Sequence, residues 1–218
     1  MYGKKGHLNC RTEKRREKIV ENYNIELVTV ANLLKGRIME SDAGGIIEDR
    51  YYEFRCTSKT NKFEKATIIC GKTAGESLIR LAEIKHVVVF NPLRIENEIE
   101  NEIENQGNSE KNDNDSKIKW NKIAKELFYA INILGLYWKK PLNGILYEIK
   151  REIEINKDKE PSLQNIKKVN KCISADRTKL KISEMILKLR EEDERVRDFN
   201  FKNINNILEK NNIESNFS

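Results

Sequence analysis

The hydrophobic pattern changes from strand-like to helical along the chain. Tyr52, Phe54 and Cys56 alternate with polar positions over residues 51–57, which is the period-two pattern of a half-buried strand. Residues 58–62 are polar and turn-like, and residues 63–70 form a second short apolar stretch. We therefore predict an antiparallel β-hairpin over residues 51–70.

Helical patterns surround this hairpin. Thr12 is a predicted N-cap for a short charged helix that ends near residue 21. Residues 25–35 carry apolar side chains at helical spacing, so they are predicted to form a second helix, which Gly36 ends in a left-handed conformation. Residues 41–45 are predicted to form a loop, residues 74–84 a helix and residues 86–90 a short strand. The N-terminal region is thus predicted to be a small α+β domain.

Beyond residue 116 the apolar residues recur every three or four positions. This spacing predicts helices over 117–138, from Pro141 onward, from about Ser162 onward, from 178 or 179 to 190, and over 201–210. The predicted connections are short, so neighbouring helices are expected to pack antiparallel in an all-α bundle.

A biased segment separates the two regions. Residues 95–116 contain eight acidic residues and one lysine, and Ile recurs every four residues in their first half. Such a polar, acidic composition is typical of a linker. We predict three parts: a small α+β domain with a basic N-terminal arm (1–94), an acidic Asn/Glu-rich linker (95–116) and an all-α domain (117–218).

Both predicted domains carry excess positive charge. Residues 1–94 hold eighteen Lys and Arg against twelve Asp and Glu, and residues 117–218 hold twenty-two against fifteen. Basic surface favours polyanionic partners, nucleic acid above all. The candidate contacts are the basic residues of the N-terminal arm together with one lysine before the predicted helix 74–84: Lys4, Lys5, Arg11, Lys14, Arg15, Arg16 and Lys72.

Lys72 belongs to a Gly-Lys-Thr triplet between a predicted strand and a predicted helix. A phosphate loop would need a glycine where Ala66 stands, so a nucleoside triphosphatase is not indicated. The start of the helix still exposes unpaired amides, which attract anions. The alternative is an ordinary turn with Thr73 as the N-cap.

The cysteines provide a candidate metal set. His7, Cys10, Cys56 and Cys70 have the residue types of a His-Cys₃ zinc site. The predicted hairpin, however, separates Cys56 and Cys70 by about five positions, roughly 16 Å at 3.3 Å per residue. We therefore expect buried thiols and no cofactor, with these four residues kept as the candidate ligands if zinc is bound.

Three functions follow as hypotheses. The first is an accessory protein without catalysis of its own that binds nucleic acid or a nucleoprotein complex. The second is an adaptor or inhibitor that docks on a larger protein through its helical domain. The third is a metal-dependent nuclease that uses Asp49, Glu53 and Glu64.

The sequence also indicates a location. It holds neither a run of about 20 apolar residues nor an apolar segment behind the basic N-terminus, so we expect neither a membrane span nor a secretion signal. Four scattered cysteines favour a reducing cytoplasm.

Overall fold

The computed structural model describes residues 6–85, 87–93 and 120–218. Its contacts divide the chain into two compact units. The sheet unit comprises Met1–Asn91 and Lys139–Tyr147, and the helical unit comprises Pro92–Trp138 and Glu148–Ser218. The prediction of an α+β region followed by an all-α region is confirmed. The predicted acidic linker and His86 lie outside the described residues.

The sheet unit is built on a four-stranded sheet with the order β5-β4-β1-β6. Strand β4 pairs antiparallel with both β1 and β5, and β6 pairs parallel with β1. Strands β2 and β3 form a separate two-stranded antiparallel ribbon. The elements are α1 (Glu13–Asn22), β1 (Tyr23–Asn32), β2 (Met39–Glu40), β3 (Ile46–Ile47), β4 (Arg50–Ser58), β5 (Lys65–Cys70), α2 (Lys72–Leu81) and β6 (Val89–Phe90).

Most predicted elements of this unit are present. Thr12 caps α1, and its side chain accepts a hydrogen bond from the Arg15 amide. Gly36 has the left-handed φ of +77°. The hairpin forms with Phe54 opposite Ile68, and the alternating Tyr52, Phe54 and Cys56 are all buried. The hydrophobic effect thus fixes the register of the hairpin, because a slip by one residue would expose this face.

The predicted helix over residues 25–35 is wrong, because residues 23–32 form strand β1. The pairing of β1 with β4 shifts register between Leu27 and Thr29, which leaves Val28 as an extra residue in the strand. This bulge breaks the period-two alternation, so that neighbouring apolar residues imitate helical spacing. The strand forms nevertheless, because it pairs with β4 along its length and contains the β-branched residues Val28, Thr29 and Val30.

Helix α2 packs tightly on strand β4 through Gly75. A Cβ atom at this position would lie 2.3 Å from the ring of Tyr52, closer than real contacts allow. The absence of a side chain lets the helix approach the sheet, while Leu78 from the same helix is completely buried. This contact fixes the position of the helix over the strand.

Residues 139–147, which the sequence predicts as part of the helical domain, belong to the sheet unit by their contacts. The Arg55 guanidinium lies 4.1 Å from the centroid of the Tyr147 ring, and the Tyr147 hydroxyl donates to Glu26 at 3.0 Å. Leu142 is buried, and its carbonyl accepts a hydrogen bond from Arg55 at 3.4 Å. The helix predicted from Pro141 accordingly begins later, at Gly144.

The helical unit is organised around one buried helix. This helix, α3, is apolar on most of its faces and contacts the later helices α5, α6 and α7. None of the described helices is long and apolar enough to cross a membrane. The helices described after residue 120 are α3 (Lys122–Trp138), α4 (Gly144–Ile155), α5 (Leu163–Ser174), α6 (Ile182–Glu192) and α7 (Lys202–Lys210). The first four residues of α4 belong to the sheet unit.

Glu126 is a buried carboxylate in α3 that caps another helix. Its side chain accepts hydrogen bonds from the backbone amides of Asn203 at 3.2 Å and Ile204 at 2.9 Å, and from the Asn203 side-chain amide. These amides belong to the first turn of α7, where the N-cap residue Phe201 offers no side-chain acceptor. A negative charge is favourable at this end of the helix dipole.

We expect Gly75→Ala to destabilise the sheet unit. Overpacking costs about 1–3 kcal/mol, whereas alanine adds only about 1 kcal/mol of helix propensity over glycine. Urea unfolding, monitored by circular dichroism, measures the change in the free energy of unfolding. The control is Glu76→Ala, at an exposed position on the same helix. A Gly75→Ala protein more stable than wild type would contradict the packing described.

We expect Glu126→Ala to lower the free energy of unfolding by about 2–3 kcal/mol, because it leaves buried amide donors unpaired. Glu126→Gln retains one acceptor oxygen and should lose less. The control, Glu209→Ala, changes an exposed carboxylate on α7 itself. Equal unfolding midpoints for Glu126→Ala and Glu209→Ala would refute the capping role.

Candidate nucleic-acid interface

A cleft of about 450 Å³ opens in the sheet unit. The N-terminal segment, helix α1, the turn between β2 and β3, and the start of α2 all contribute to its wall. The volume lies in the range of small-molecule sites. Its charged residues are four cations and two acids: Arg11, Arg16, Arg50, Lys72, Glu48 and Asp49.

Arg16 is held in place by neutral groups. Its Nε donates to the Ser77 hydroxyl of α2 at 2.8 Å, and its Nη1 donates to the carbonyl of Cys10 at 3.0 Å. These bonds fix the guanidinium between α2 and the N-terminal segment. Because neither acceptor is charged, the positive charge of Arg16 stays available to an anion in the cleft.

Arg50 is positioned by the sheet. It lies opposite Asn32 in the pairing of β4 with β1, and its Nε donates to the Asn32 side-chain oxygen at 2.8 Å. The Asn32 amide donates in turn to Asn91 at 3.1 Å. Burial raises the pKa of the neighbouring Tyr52, and a hydrogen bond with Arg50 partly offsets that rise. The anchor of this cation is again neutral.

Arg11 extends over a glycine turn. A Cβ atom at Gly44 would lie 3.7 Å from Cδ and Nε of Arg11. Gly44 and Gly45 both have positive φ, +95° and +81°, which glycine adopts without strain. The turn is closed by the Ser41 amide, which donates to the Gly45 carbonyl at 3.0 Å. A Cβ atom would fit beside the arginine, so it is the positive φ of the turn that favours glycine at these two positions.

Helix α2 begins at the cleft. Gly71 is its N-cap and provides no side-chain hydrogen bond. The expectation that Thr73 caps this helix is wrong, because the helix starts at Lys72 and Thr73 lies inside its first turn. First-turn amides have no partner within a helix, and the helix dipole makes this end positive. Lys72 is 70% exposed, and its Nζ lies 4.0 Å from Glu76, a contact too loose to neutralise it.

The structure brings together three of the seven basic residues selected from the sequence. Arg11, Arg16 and Lys72 line the cleft, whereas Lys14 and Arg15 lie on α1 outside its lining. Lys4 and Lys5 are outside the described residues. Sequence reasoning missed Arg50, because no local pattern marks residues 46–50 as part of the wall of a cleft. The adjacent Gly44 and Gly45 were the available signal for the turn.

The four candidate zinc ligands do not all meet at one point. Cys56 pairs with Ala66 and Cys70 pairs with Tyr52, so the two cysteines lie four positions apart on the ladder, about 13 Å. His7 is bonded to the Asp42 carboxylate, with its Nδ1 2.9 Å from Oδ2. Within residues 6–85, 87–93 and 120–218, no three His, Cys, Asp or Glu side chains are grouped to hold a metal.

Cys10, Cys56 and Cys70 belong to the buried core of the sheet unit. Burial raises the pKa of the Cys56 thiol to about 12. A hydrogen bond with Cys10, together with burial, raises the pKa of Cys70. Cys172 is only partly buried, and burial raises its pKa as well. The hydrogen bond with Cys70 lowers the pKa of Cys10. All three core thiols are buried, and they pack in the sheet unit as small side chains.

The three carboxylates of the nuclease hypothesis are not assembled into one site. Asp49 lines the cleft, but Glu53 is buried within β4. Glu53 pairs with Ile69, five positions from Glu64 along the hairpin, which is about 16 Å. Glu64 accepts a hydrogen bond from the Tyr23 hydroxyl at 2.8 Å.

Residues 8–216 match the family model described as uncharacterised conserved protein UCP028583. The chain belongs to this family. The match runs through the sheet unit and the helical unit, so the family is defined by both together. Neither the curated proteins nor the solved structures include a match to the chain.

We expect Cys172 to react with iodoacetamide at pH 8 at least about tenfold faster than Cys56, because only the thiolate is nucleophilic and burial suppresses it. Peptide mass spectrometry after timed alkylation measures the rates. In guanidinium chloride the four cysteines should react alike. Labelling of Cys56 in the folded protein as fast as that of Cys172 would show that the core is open.

Proposed function

We propose that this protein is an accessory protein that binds nucleic acid through the cleft of the sheet unit. The observation that carries the proposal is that Arg11, Arg16, Arg50 and Lys72 line one cleft, whose wall includes the first turn of α2. Arginine guanidinium groups bind phosphate oxygens in bidentate fashion, and helix amides bind the same oxygens. The arrangement therefore suits a phosphate group.

A polymer fits the charge distribution better than an isolated small anion. Further cations lie beyond the cleft, since Lys14 and Lys18 are exposed one turn apart on α1, with the exposed Glu13 and Glu17 beside them. A polyanion gains from such extended charge by releasing counterions from several phosphates. Glu48 and Asp49 in the cleft oppose purely electrostatic binding, so they would favour ligands that offer hydroxyl or amino donors next to the phosphate.

The free cysteines support a reducing compartment, where such a protein would meet intracellular nucleic acid. We propose binding without catalysis, because the cleft brings together cations and amides, whereas the carboxylates of the nuclease hypothesis lie apart. The proposal assigns the recognition of phosphate to the sheet unit and leaves the helical unit as the part that would contact a larger assembly.

We expect the Arg11→Gln/Lys72→Gln double variant to bind labelled oligonucleotides more weakly than wild type. Each lost phosphate contact removes about 0.7–0.9 from the slope of log affinity against log salt concentration, so two contacts remove about 1.4–1.8. Fluorescence anisotropy at salt concentrations from about 50 to about 200 mM measures the affinity and its salt slope.

The matched control is Lys85→Gln/Lys210→Gln, which removes the same charge from two exposed positions outside the lining of the cleft. Equal affinity and salt slope for the two double variants would reject the cleft as the binding site. A wild-type protein that binds no oligonucleotide but co-purifies with a protein would favour the adaptor hypothesis. Magnesium-dependent cleavage of the oligonucleotide that Glu53→Gln abolishes would favour the nuclease.

A further inference from the structure

The turn between β4 and β5 presents an aromatic ring to water. Phe63 is 96% exposed, more than any other large hydrophobic side chain of the described residues. Exposed apolar residues are common when small or scattered, but a whole phenyl ring in solvent forgoes the stabilisation that burial would provide. Phe63 stands at the tip of the hairpin, the place where a ring is most accessible to a partner.

The turn that presents Phe63 is well ordered. The Ser58 amide donates to the Glu64 carbonyl at 3.0 Å, which closes the turn, and the Glu64 amide donates to the Asn61 carbonyl at 2.9 Å. The Phe63 amide donates to the Asn61 side-chain oxygen at 3.1 Å. These bonds fix the backbone on both sides of the ring. A partner would therefore lose little conformational entropy of this turn on binding.

Three exposed lysines lie within four positions of Phe63 in the sequence. Lys62 and Lys65 are both exposed, and Lys59 lies three positions before Lys62, with its amine donating to the Val20 carbonyl at 2.8 Å. The one acid of the turn, Glu64, accepts the hydrogen bond from the Tyr23 hydroxyl. An aromatic ring among lysines is the combination that binds single-stranded nucleic acid, where the ring stacks on a base and the amines attract phosphates.

We propose that the hairpin tip binds single-stranded nucleic acid by stacking a nucleobase on Phe63, an inference that rests on the proposed function. An exposed ring needs a base whose face is free, and bases inside a duplex are stacked on one another. The tip thus adds a preference for single strands, which phosphate recognition in the cleft does not supply.

Strand β5 runs from the hairpin tip to the cleft, and its length sets the distance between them. The strand runs from Lys65, beside the tip, to Cys70, and Gly71 at the cleft follows directly. Its five steps span about 16 Å at 3.3 Å per residue. A stacked strand rises about 3.4 Å per nucleotide, so about five nucleotides cover this distance. An oligonucleotide of about ten or more nucleotides is therefore long enough to contact both the hairpin tip and the cleft.

The test compares Phe63→Ala, Phe63→Trp and the control Leu187→Ala, which truncates an exposed apolar side chain in the helical unit. Anisotropy is measured with a labelled single-stranded DNA, an RNA of the same sequence and a duplex of the DNA. Phe63→Ala should weaken binding of single strands roughly 5- to 100-fold, the range for loss of a stacked aromatic. Phe63→Trp should retain the affinity, binding of duplex should be unaffected, and the salt slope should stay at the wild-type value.

The outcomes separate this inference from the proposed function. If Phe63→Ala binds single strands like Leu187→Ala while Arg11→Gln/Lys72→Gln binds weakly, the stacking role is rejected and the cleft proposal stands. If the wild type binds no nucleic acid at 50 mM salt, both are rejected. Vesicles of phosphatidylserine and phosphatidylcholine form a further arm, and Phe63-dependent binding to them without binding to oligonucleotides would reject stacking in favour of a membrane surface.

Discussion

Helix α2 lies so close to strand β4 that only glycine fits at position 75, and the cleft depends on this contact. The approach over the Tyr52 ring fixes where α2 begins, and therefore where its first-turn amides lie. Ser77, half a turn further along the helix, then positions Arg16, and Arg16 in turn holds the Cys10 carbonyl of the N-terminal segment. One packing constraint thus places three chain segments around the same cleft.

Two arginines of the cleft, Arg16 and Arg50, are held differently from Arg80 of helix α2. Arg80, at the far end of α2, forms an ion pair with Glu13 at 2.6 Å, which neutralises its charge. Arg16 and Arg50 instead bond to a hydroxyl, a carbonyl and a side-chain amide. Neutral anchors fix the direction of a guanidinium without cancelling its charge. These guanidinium groups are preorganised for an anion, because they need little reorganisation when the anion binds.

The sequence was informative where local pattern and tertiary structure agree. The hairpin and the later helices could be predicted because each has one periodic apolar face. Strand β1 could not, because the bulge at Val28 disturbs the period and its pairing partner, β4, is distant in sequence. Arg50 could not be predicted either, because the cleft that residues 46–50 line forms only when distant segments of the chain meet. Residues 139–147 follow a helical pattern, yet Tyr147 packs against Arg55 of the sheet unit.

The cap that Glu126 provides has a consequence for biosynthesis. Its partners, Asn203 and Ile204, lie 77 and 78 residues further along the chain. A ribosome that adds about 5–20 residues per second needs about 4–15 s to produce them, and during this interval the carboxylate must stay hydrated. The N-terminal end of the buried helix therefore cannot reach its final environment until residues 203 and 204 have been synthesised, so the sheet unit has time to fold first.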